Sequence, residues 1–398
     1  MVKLFFTFDR PVQLFLLATG VMGFSNGLFD AVYNFYLEAN NIDKVGTGQI
    51  YAFSMFMMSA AVVPLMIASR KISVKKLLLI SSIVYAISFL ALPFCTTVNS
   101  NSIALGLILS GMIAVLSTGN SLFGAHAGDN KTKMFSYFFV FYLGAAMLAS
   151  FIVVIVTKYS PFEPQYNYCG VLLVASLSAL LMVFVRFHSV NGVRELEDKT
   201  AFGNTPNALE WRNLLMLFIA AFLLGGSITL VFRFANILFN QAYSLDVTEA
   251  SAVLGLDKIV SIFGALCAPV LVKKYNLKRI LLLIGVITFS VLLLQSLLLP
   301  FAVFISLYFG RLILNYALMP LLDTLTISGF DNNRILISSS IRQLSFYLGG
   351  AFAAMIYGEL FQNQDWAKAL IYSAIMALCG AIALYFVKEK EQTNQVER

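Results

Sequence analysis

Long apolar segments separated by short polar loops leave few folds open to this chain of 398 residues. The segments 77–98, 214–239 and 280–300 are each long enough for an α-helix to cross a hydrocarbon layer of about 30 Å. Hydrophobic residues make up 59% of the chain and charged residues only 12%, so a water-soluble core cannot absorb this sequence. We therefore predict an all-α membrane protein with twelve transmembrane helices, the other nine at 12–38, 47–69, 102–124, 134–157, 168–188, 249–272, 301–325, 335–358 and 366–387.

The distribution of Lys and Arg predicts how these helices are oriented. The first segment has no small-residue cleavage site and continues past Asp30, so we expect it to be retained, not removed as a signal peptide. An even number of spans places both termini on one side. If that side is the cytoplasm, the outer loops hold only Lys44, Lys158 and Lys368, as the positive-inside rule requires. This topology accounts for the net charge of +7, and we expect a multi-pass plasma-membrane protein, in contact with the lipid bilayer, that binds no nucleic acid.

The chain repeats itself. A basic loop beginning at Arg70 matches one beginning at Lys273, and 273 − 70 gives an offset of 203. The segment Phe141–Ala146 matches Phe346–Ala351 at an offset of 205. The longest polar stretch, 190–212, lies near the midpoint and has the composition of a linker. We therefore predict two pseudo-symmetric six-helix bundles, 1–189 and 213–398, joined by a cytoplasmic linker.

With this repeat the whole chain resembles the major facilitator superfamily. Lys274, Lys278 and Arg279 fit the basic positions of the loop that this family carries in each half, usually G-x-x-x-D-R-x-G-R-[KR]. The sequence departs from the pattern where Lys273 and Arg70 stand in place of the family's Asp. The resemblance implies a monomeric transporter without cofactors, in which the first and seventh helices line a central cavity. Small members with short loops are often exporters, so the resemblance also implies efflux.

Ionisable side chains inside spanning helices cost free energy, and they are therefore candidates for function. Asp323 is not counted, because it lies within a turn of a predicted helix end. Four of the six candidates are cationic and two anionic, which favours a substrate with an anionic or zwitterionic part. They are Asp30, Arg233, Asp257, Lys258, Arg311 and Arg342.

Asp30 lies on a polar stripe of the first helix, with Asn26 and Asn34 four residues to either side. It is about 12 Å from the outer end of that helix at the rise of an α-helix. A carboxylate in such a low-dielectric position is suited to carry a proton through a transport cycle. The alternative is a structural partner for an arginine.

Arg233 occupies the matching position of the seventh helix, since 233 − 30 gives 203, and Asn236 continues its stripe. Asp257 lies at a similar depth on the eighth helix, so Arg233 can pair with Asp257 or with Asp30, and we expect Asp257. Lys258 points about 100° away from Asp257 on the helix, so we expect the two not to share partners. Lys258 either faces the interior or extends to the outer interface.

Arg311 is about 16 Å into the tenth helix and close to the midplane, with Asn315 one turn on. It is the preferred candidate for substrate binding, with a buried structural ion pair as the alternative. Arg342 can fasten a cytoplasmic gate or contact the substrate. We expect the remaining gating residues in the cytoplasmic loops: Arg70, Lys273, Lys274, Asp129 and Asp331.

These residues predict a secondary active transporter, coupled to protons, that moves a small amphipathic solute by alternating access. The chain has no G-x-x-x-x-G-K-[ST] loop for phosphate and no catalytic cluster, so we expect no enzyme activity. Its four cysteines stand singly, so no metal site is expected. Uptake of a sugar, nucleoside or organic anion is the alternative to efflux, and an uncoupled lipid scramblase or receptor is the alternative of another class.

Overall fold

The computed structural model describes residues 8–126, 131–191, 208–328 and 335–387. Within these ranges the chain is helical with no strand, and twelve helices are long and apolar enough to span a membrane. We number them α1 to α12 in chain order. They are Arg10–Ala39, Lys44–Lys71, Val74–Ala91, Val98–His126, Lys131–Tyr159, Pro164–Asn191, Ala208–Tyr243, Val247–Lys274, Leu277–Ser296, Phe301–Ser328, Ile335–Gln362 and Trp366–Tyr385.

The predicted number of spans is confirmed, but most helices begin a few residues earlier than hydropathy indicates. Polar caps explain several starts. Asp43 accepts a hydrogen bond from the backbone of Gly46 at the start of α2, and Asp246 forms a capping box with Glu249 at the start of α8. The predicted linker 190–212 overlaps the end of α6 and the start of α7, and its middle, 192–207, lies outside the described residues.

Glycine allows the same close helix crossing in both halves. A Cβ added to Gly23 of α1 would overlap the backbone of Tyr142 in α5. In the second half, a Cβ on Gly225 of α7 would overlap the backbone of Phe346 in α11. Since 346 − 142 gives 204, the two crossings are equivalent in the repeat. These glycines therefore serve helix packing, the role that small residues commonly have in membranes.

The two halves meet where α2 packs on α11 and α5 packs on α8. The backbone amide of Lys44 at the start of α2 donates to Gln362 Oε1 at the end of α11, at 3.1 Å. Nearby, a Cβ on Gly48 would lie 2.8 Å from the Cα of Gly358. The Lys44–Gln362 and Gly48–Gly358 contacts are at the helix ends remote from the two termini, because α2 begins and α11 ends there. We call this end of the interface, with Lys44, Gly48, Gly358 and Gln362, the closed end.

Candidate functional site

A cavity of about 350 Å³ lies between the halves, on the side of the closed end that faces the termini. Helices α1, α2, α4 and α5 line it from the first half, and α7, α8, α10 and α11 from the second. Most of the lining is apolar, with several methionines and tyrosines. Four of the six ionisable residues predicted inside the membrane line it: Asp30, Arg233, Asp257 and Lys258. The polar stripe of α1 also faces it, since Asn26 and Asn34 are part of the lining.

Asp30 and Arg233 meet across the interface between the halves. Asp30 Oδ1 is 3.8 Å from Arg233 Nη1, and Asp30 Oδ2 is 4.0 Å from Lys258 Nζ. The expectation that Arg233 pairs with Asp257 is therefore wrong. Helical depth alone made both carboxylates suitable, but α1 and α7 face each other across the cavity and bring the matched positions together. Both separations exceed the roughly 2.7–2.9 Å of a charge-assisted hydrogen bond, so Asp30 lies between two cations without a close bond to either.

Asp257 is much less exposed than Asp30, with 6% of its side chain accessible against 32%. Its Oδ1 is 3.3 Å from Lys258 Nζ, and Tyr308 donates its hydroxyl to Oδ2 at 3.3 Å. Asp257 and Lys258 pair with each other, although their other partners, Tyr308 and Asp30, differ. The angle of about 100° between successive residues applies to the Cα–Cβ bonds, whereas the four-carbon chain of lysine lets its ammonium reach back. Lys258 is buried and faces the cavity, so it does not extend to the outer interface.

Asn34 joins α1 to α7 and to α2 beside these charges. Its Nδ2 donates to the backbone carbonyl of Arg233 at 2.7 Å and to Asn236 Oδ1 at 2.5 Å. Its Oδ1 accepts from the hydroxyl of Tyr51 at 2.7 Å. The ring of Tyr51 also lies 5.6 Å from the guanidinium of Arg233, a cation–π distance. This network fixes the backbone that carries Asp30 and Arg233.

Asn26 makes a simpler contact than Asn34. Its Nδ2 donates to the carbonyl of Met22 in its own helix at 3.1 Å. Asn26 is also part of the cavity lining and adds a polar side chain to it.

Arg311 and Asn315 are not among the residues that line the cavity. Arg311 is 1% exposed, and its guanidinium lies 5.6 Å from the ring of Tyr308, whose hydroxyl bonds Asp257. Its Nε and Nη1 have no hydrogen-bond partner among the described residues. Asn315 faces a separate small pocket between α7, α9, α10 and α12. The predicted substrate contact through these two residues therefore has no support from their position, although Arg311 contacts a residue that holds Asp257.

The residues predicted for gating are only partly described. Arg342 of α11 forms an ion pair and a hydrogen bond with Asp323 of α10, and both helices belong to the second half. Arg342 is not among the residues that line the cavity. The side chain of Asp323 is more than half exposed, in keeping with its place near a helix end. Lys274 is exposed at the end of α8. Arg70 and Lys273 lie in the last turns of α2 and α8, and Asp129 and Asp331 lie outside the described residues.

Tyrosines of the cavity wall are the main residues that the sequence analysis missed. Tyr51, Tyr142, Tyr316 and Tyr347 all line the cavity. The repeat contained a signal for two of them, since Tyr142 and Tyr347 hold the same place in the segments that match at an offset of 205. Arg186 of α6 was also missed as a buried charge, and its guanidinium lies 4.7 Å from the ring of Phe15.

The sequence of the chain matches a family model, and its structure matches known folds. The model of the Major Facilitator Superfamily matches residues 15–333 and, in a second match, residues 217–398. No curated protein sequence matches the chain.

Several solved structures are similar over almost the whole chain. The nucleoside transporter NupG aligns with a TM-score of 0.73 at 14% identity, over 94% of this chain and 98% of its own. The POT family transporter PepTSo gives 0.75 at 11%, over 95% and 97%. A D-xylose-proton symporter gives 0.71 at 13%, over 94% and 97%. At these identities the likeness concerns the fold.

Proposed function

Since the chain belongs to the major facilitator superfamily and is a membrane transporter, we propose that it moves a small organic solute through the central cavity together with a proton carried by Asp30. The cavity of about 350 Å³ is near the lower limit of small-molecule pockets, about 300 Å³. Its size therefore suits a single metabolite of modest size.

The position of Asp30 is the main observation that supports proton coupling. Its side chain is 32% exposed, and its carboxylate faces Arg233 and Lys258 at 3.8 and 4.0 Å. A proton entering the cavity can therefore reach this carboxylate without first breaking a tight hydrogen bond. Asp257, at 6% exposure and bonded to Lys258 and Tyr308, is less accessible to a proton.

Alternating access fits the position of this pair between the halves. The closed end seals the cavity from the side opposite the termini, and opening it requires the halves to rotate about the region where α1 meets α7. Asp30 belongs to one half, and Arg233 and Lys258 to the other. Their separations therefore change when the halves move, which links the charge of Asp30 to the conformation.

We propose uptake, with solute and proton moving in the same direction, in place of the efflux that short loops suggested. A protonated Asp30 releases Arg233 and Lys258 for the solute, so proton and solute occupy the cavity together. The likeness to a D-xylose-proton symporter is consistent with that direction.

The test is transport by purified protein in lipid vesicles with an imposed pH gradient. Addition of a transported solute is expected to carry protons inward, measured with a pH dye trapped in the vesicles. Asp30→Asn is expected to abolish solute accumulation driven by the gradient, whereas Lys368→Gln, which removes an exposed charge paired with Asp365, should leave it intact. Accumulation that is retained in Asp30→Asn would refute the coupling role. Rapid flipping of fluorescent phospholipid in the same vesicles would instead support a scramblase.

A further inference from the structure

We infer that the solute carries an anionic group, a carboxylate or a similar monoanion, and that this group binds Arg233 and Lys258 in the place of the Asp30 carboxylate. The inference rests on the proposed function, since it names the class of solute that the same cavity takes.

The formal charges of the cavity sum to zero when all four groups are ionised, with Asp30 and Asp257 negative and Arg233 and Lys258 positive. The pairs are not equivalent. Asp257 is buried, pairs with Lys258 at 3.3 Å and accepts from Tyr308, so it is the nearer counter-charge of Lys258. Asp30 remains as the counter-charge of Arg233, at a distance too long for a direct hydrogen bond.

Arg233 has unused capacity to donate. A guanidinium carries five N–H donors, and the buried Nε of Arg233 has no hydrogen-bond partner among the described residues. Tyr51 covers one face of the group, and Asn34 holds its backbone. Arg233 is part of the cavity lining, and the fork of a guanidinium matches the oxygen pair of a carboxylate or phosphate.

Protonation of Asp30 removes the negative charge that faces Arg233 and leaves the cavity with a net positive charge. An anionic group that enters at the same time restores the charge balance. A cationic solute would instead need an accessible carboxylate, and Asp257 is already bonded. Methionines Met55, Met58 and Met112 line the rest of the cavity and provide an adaptable surface for an apolar body. The solute class is therefore a small organic monoanion, taken up with one proton.

Binding to the purified full-length protein tests this inference. The probes are matched sets that share one carbon skeleton: butyrate, butyramide and butylamine; hexanoate, hexanamide and hexylamine; and 3-phenylpropanoate with its amide and amine, together with phenylalanine as a zwitterion. The increase in melting temperature of the protein in detergent identifies which carbon skeleton binds. Calorimetry then measures the affinity of each probe with that skeleton and the number of protons taken up on binding. We expect a carboxylate to bind at least about tenfold more tightly than its amide and amine, a difference of about 1.4 kcal/mol.

Variants separate this inference from the proposed function. Arg233→Gln should weaken carboxylate binding at least about tenfold. Asp30→Asn should bind the carboxylate with an affinity that no longer depends on pH. Lys368→Gln should bind it with the affinity of the wild type. Three results would overturn the anion site. One is tighter binding of an amine, an amide or the zwitterion than of the carboxylate, and another is equal carboxylate binding by Arg233→Gln and the wild type. The third is that no carboxylate stabilises either the wild type or Asp30→Asn. Carboxylate binding that depends on Arg233 but takes up no proton supports the anion site and refutes coupling through Asp30. Proton-driven flux of uncharged solutes would support proton coupling and refute the anion site.

Discussion

Asp30 and Arg233 occupy matching positions in the two halves, 203 residues apart, and their side chains lie 3.8 Å from each other across the central cavity. The same position of the repeat therefore carries opposite charges in the two halves. The pair lies beside the Asn34 network, and Lys258 approaches the same carboxylate from α8. Charge at this point is shared between α1 of the first half and α7 and α8 of the second, so a movement of the halves would change these separations.

The Asp30–Arg233 pair should contribute little to stability. Its distance and the partial exposure of Asp30 resemble those of surface ion pairs, which are worth about 0–1 kcal/mol. A double-mutant cycle with Asp30→Asn and Arg233→Gln is expected to give a coupling free energy below about 1 kcal/mol. Unfolding with a denaturing detergent measures it. A coupling of about 3–5 kcal/mol would indicate a buried structural pair and contradict the functional interpretation.

Asn34→Ala should destabilise the protein by about 1–3 kcal/mol, because it removes hydrogen bonds from buried groups of α2 and α7. The variant removes the donor to the carbonyl of Arg233 and to Asn236, and the acceptor of Tyr51. Ser178→Ala is the control, since that exposed hydroxyl bonds only the carbonyl of Val174 in its own helix. An equal loss of stability in both variants would show that the network does not join α1 and α7.

Gly48→Ala and Gly358→Ala should favour conformations in which the closed end opens. A Cβ on Gly48 would lie 2.7 Å from the carbonyl oxygen of Ala354, and one on Gly358 would lie 2.8 Å from that of Lys44, so α2 and α11 cannot approach fully. Spin labels at Asn41 and Asn363, in a background without native cysteines, should be further apart in these variants than with the native glycines. Double electron–electron resonance measures this distance.

Gly170→Ala is the matched control for these variants, since a Cβ there meets nothing within 4 Å. Distances that stay the same in the Gly48 and Gly358 variants would show that the glycine contact does not hold this end shut.

Arg311→Met should change solute affinity by less than about tenfold, whereas Arg233→Met should reduce it by more. Arg311 is buried behind Tyr308 and outside the cavity lining, and a methionine of similar length can occupy its place. Calorimetry with the best carboxylate probe compares the two variants. A larger loss of affinity in Arg311→Met than in Arg233→Met would return Arg311 to the binding site.

Much of the architecture could be predicted from local patterns. Runs of about twenty apolar residues identify spanning helices one at a time, and a nearly constant offset identifies the repeat, since neither requires knowledge of long-range contacts. The polar stripe of α1 was also predictable, because residues four apart share a helix face. Asn26, Asp30 and Asn34 do face the cavity together.

The partners of the buried charges required the tertiary structure. Helical rise gives the depth of a residue, but it does not give the rotation of its helix or the distance to another helix. Arg233 therefore had two carboxylates at suitable depth, and packing of α1 against α7 selected Asp30. For the same reason Arg311, predicted near the midplane, faces Tyr308 and not the cavity.

The sequence by itself determined the twelve membrane spans, the two related halves and most of the charged residues that lie inside them, since these follow from hydrophobicity and periodicity along the chain. Only the tertiary structure decided that Asp30 meets Arg233 and Lys258, that Asp257 pairs with Lys258 and accepts from Tyr308, and that α2 meets α11 at the closed end. The physical reason is that ion pairs and closure depend on angles and distances between helices far apart in sequence, which local periodicity does not specify.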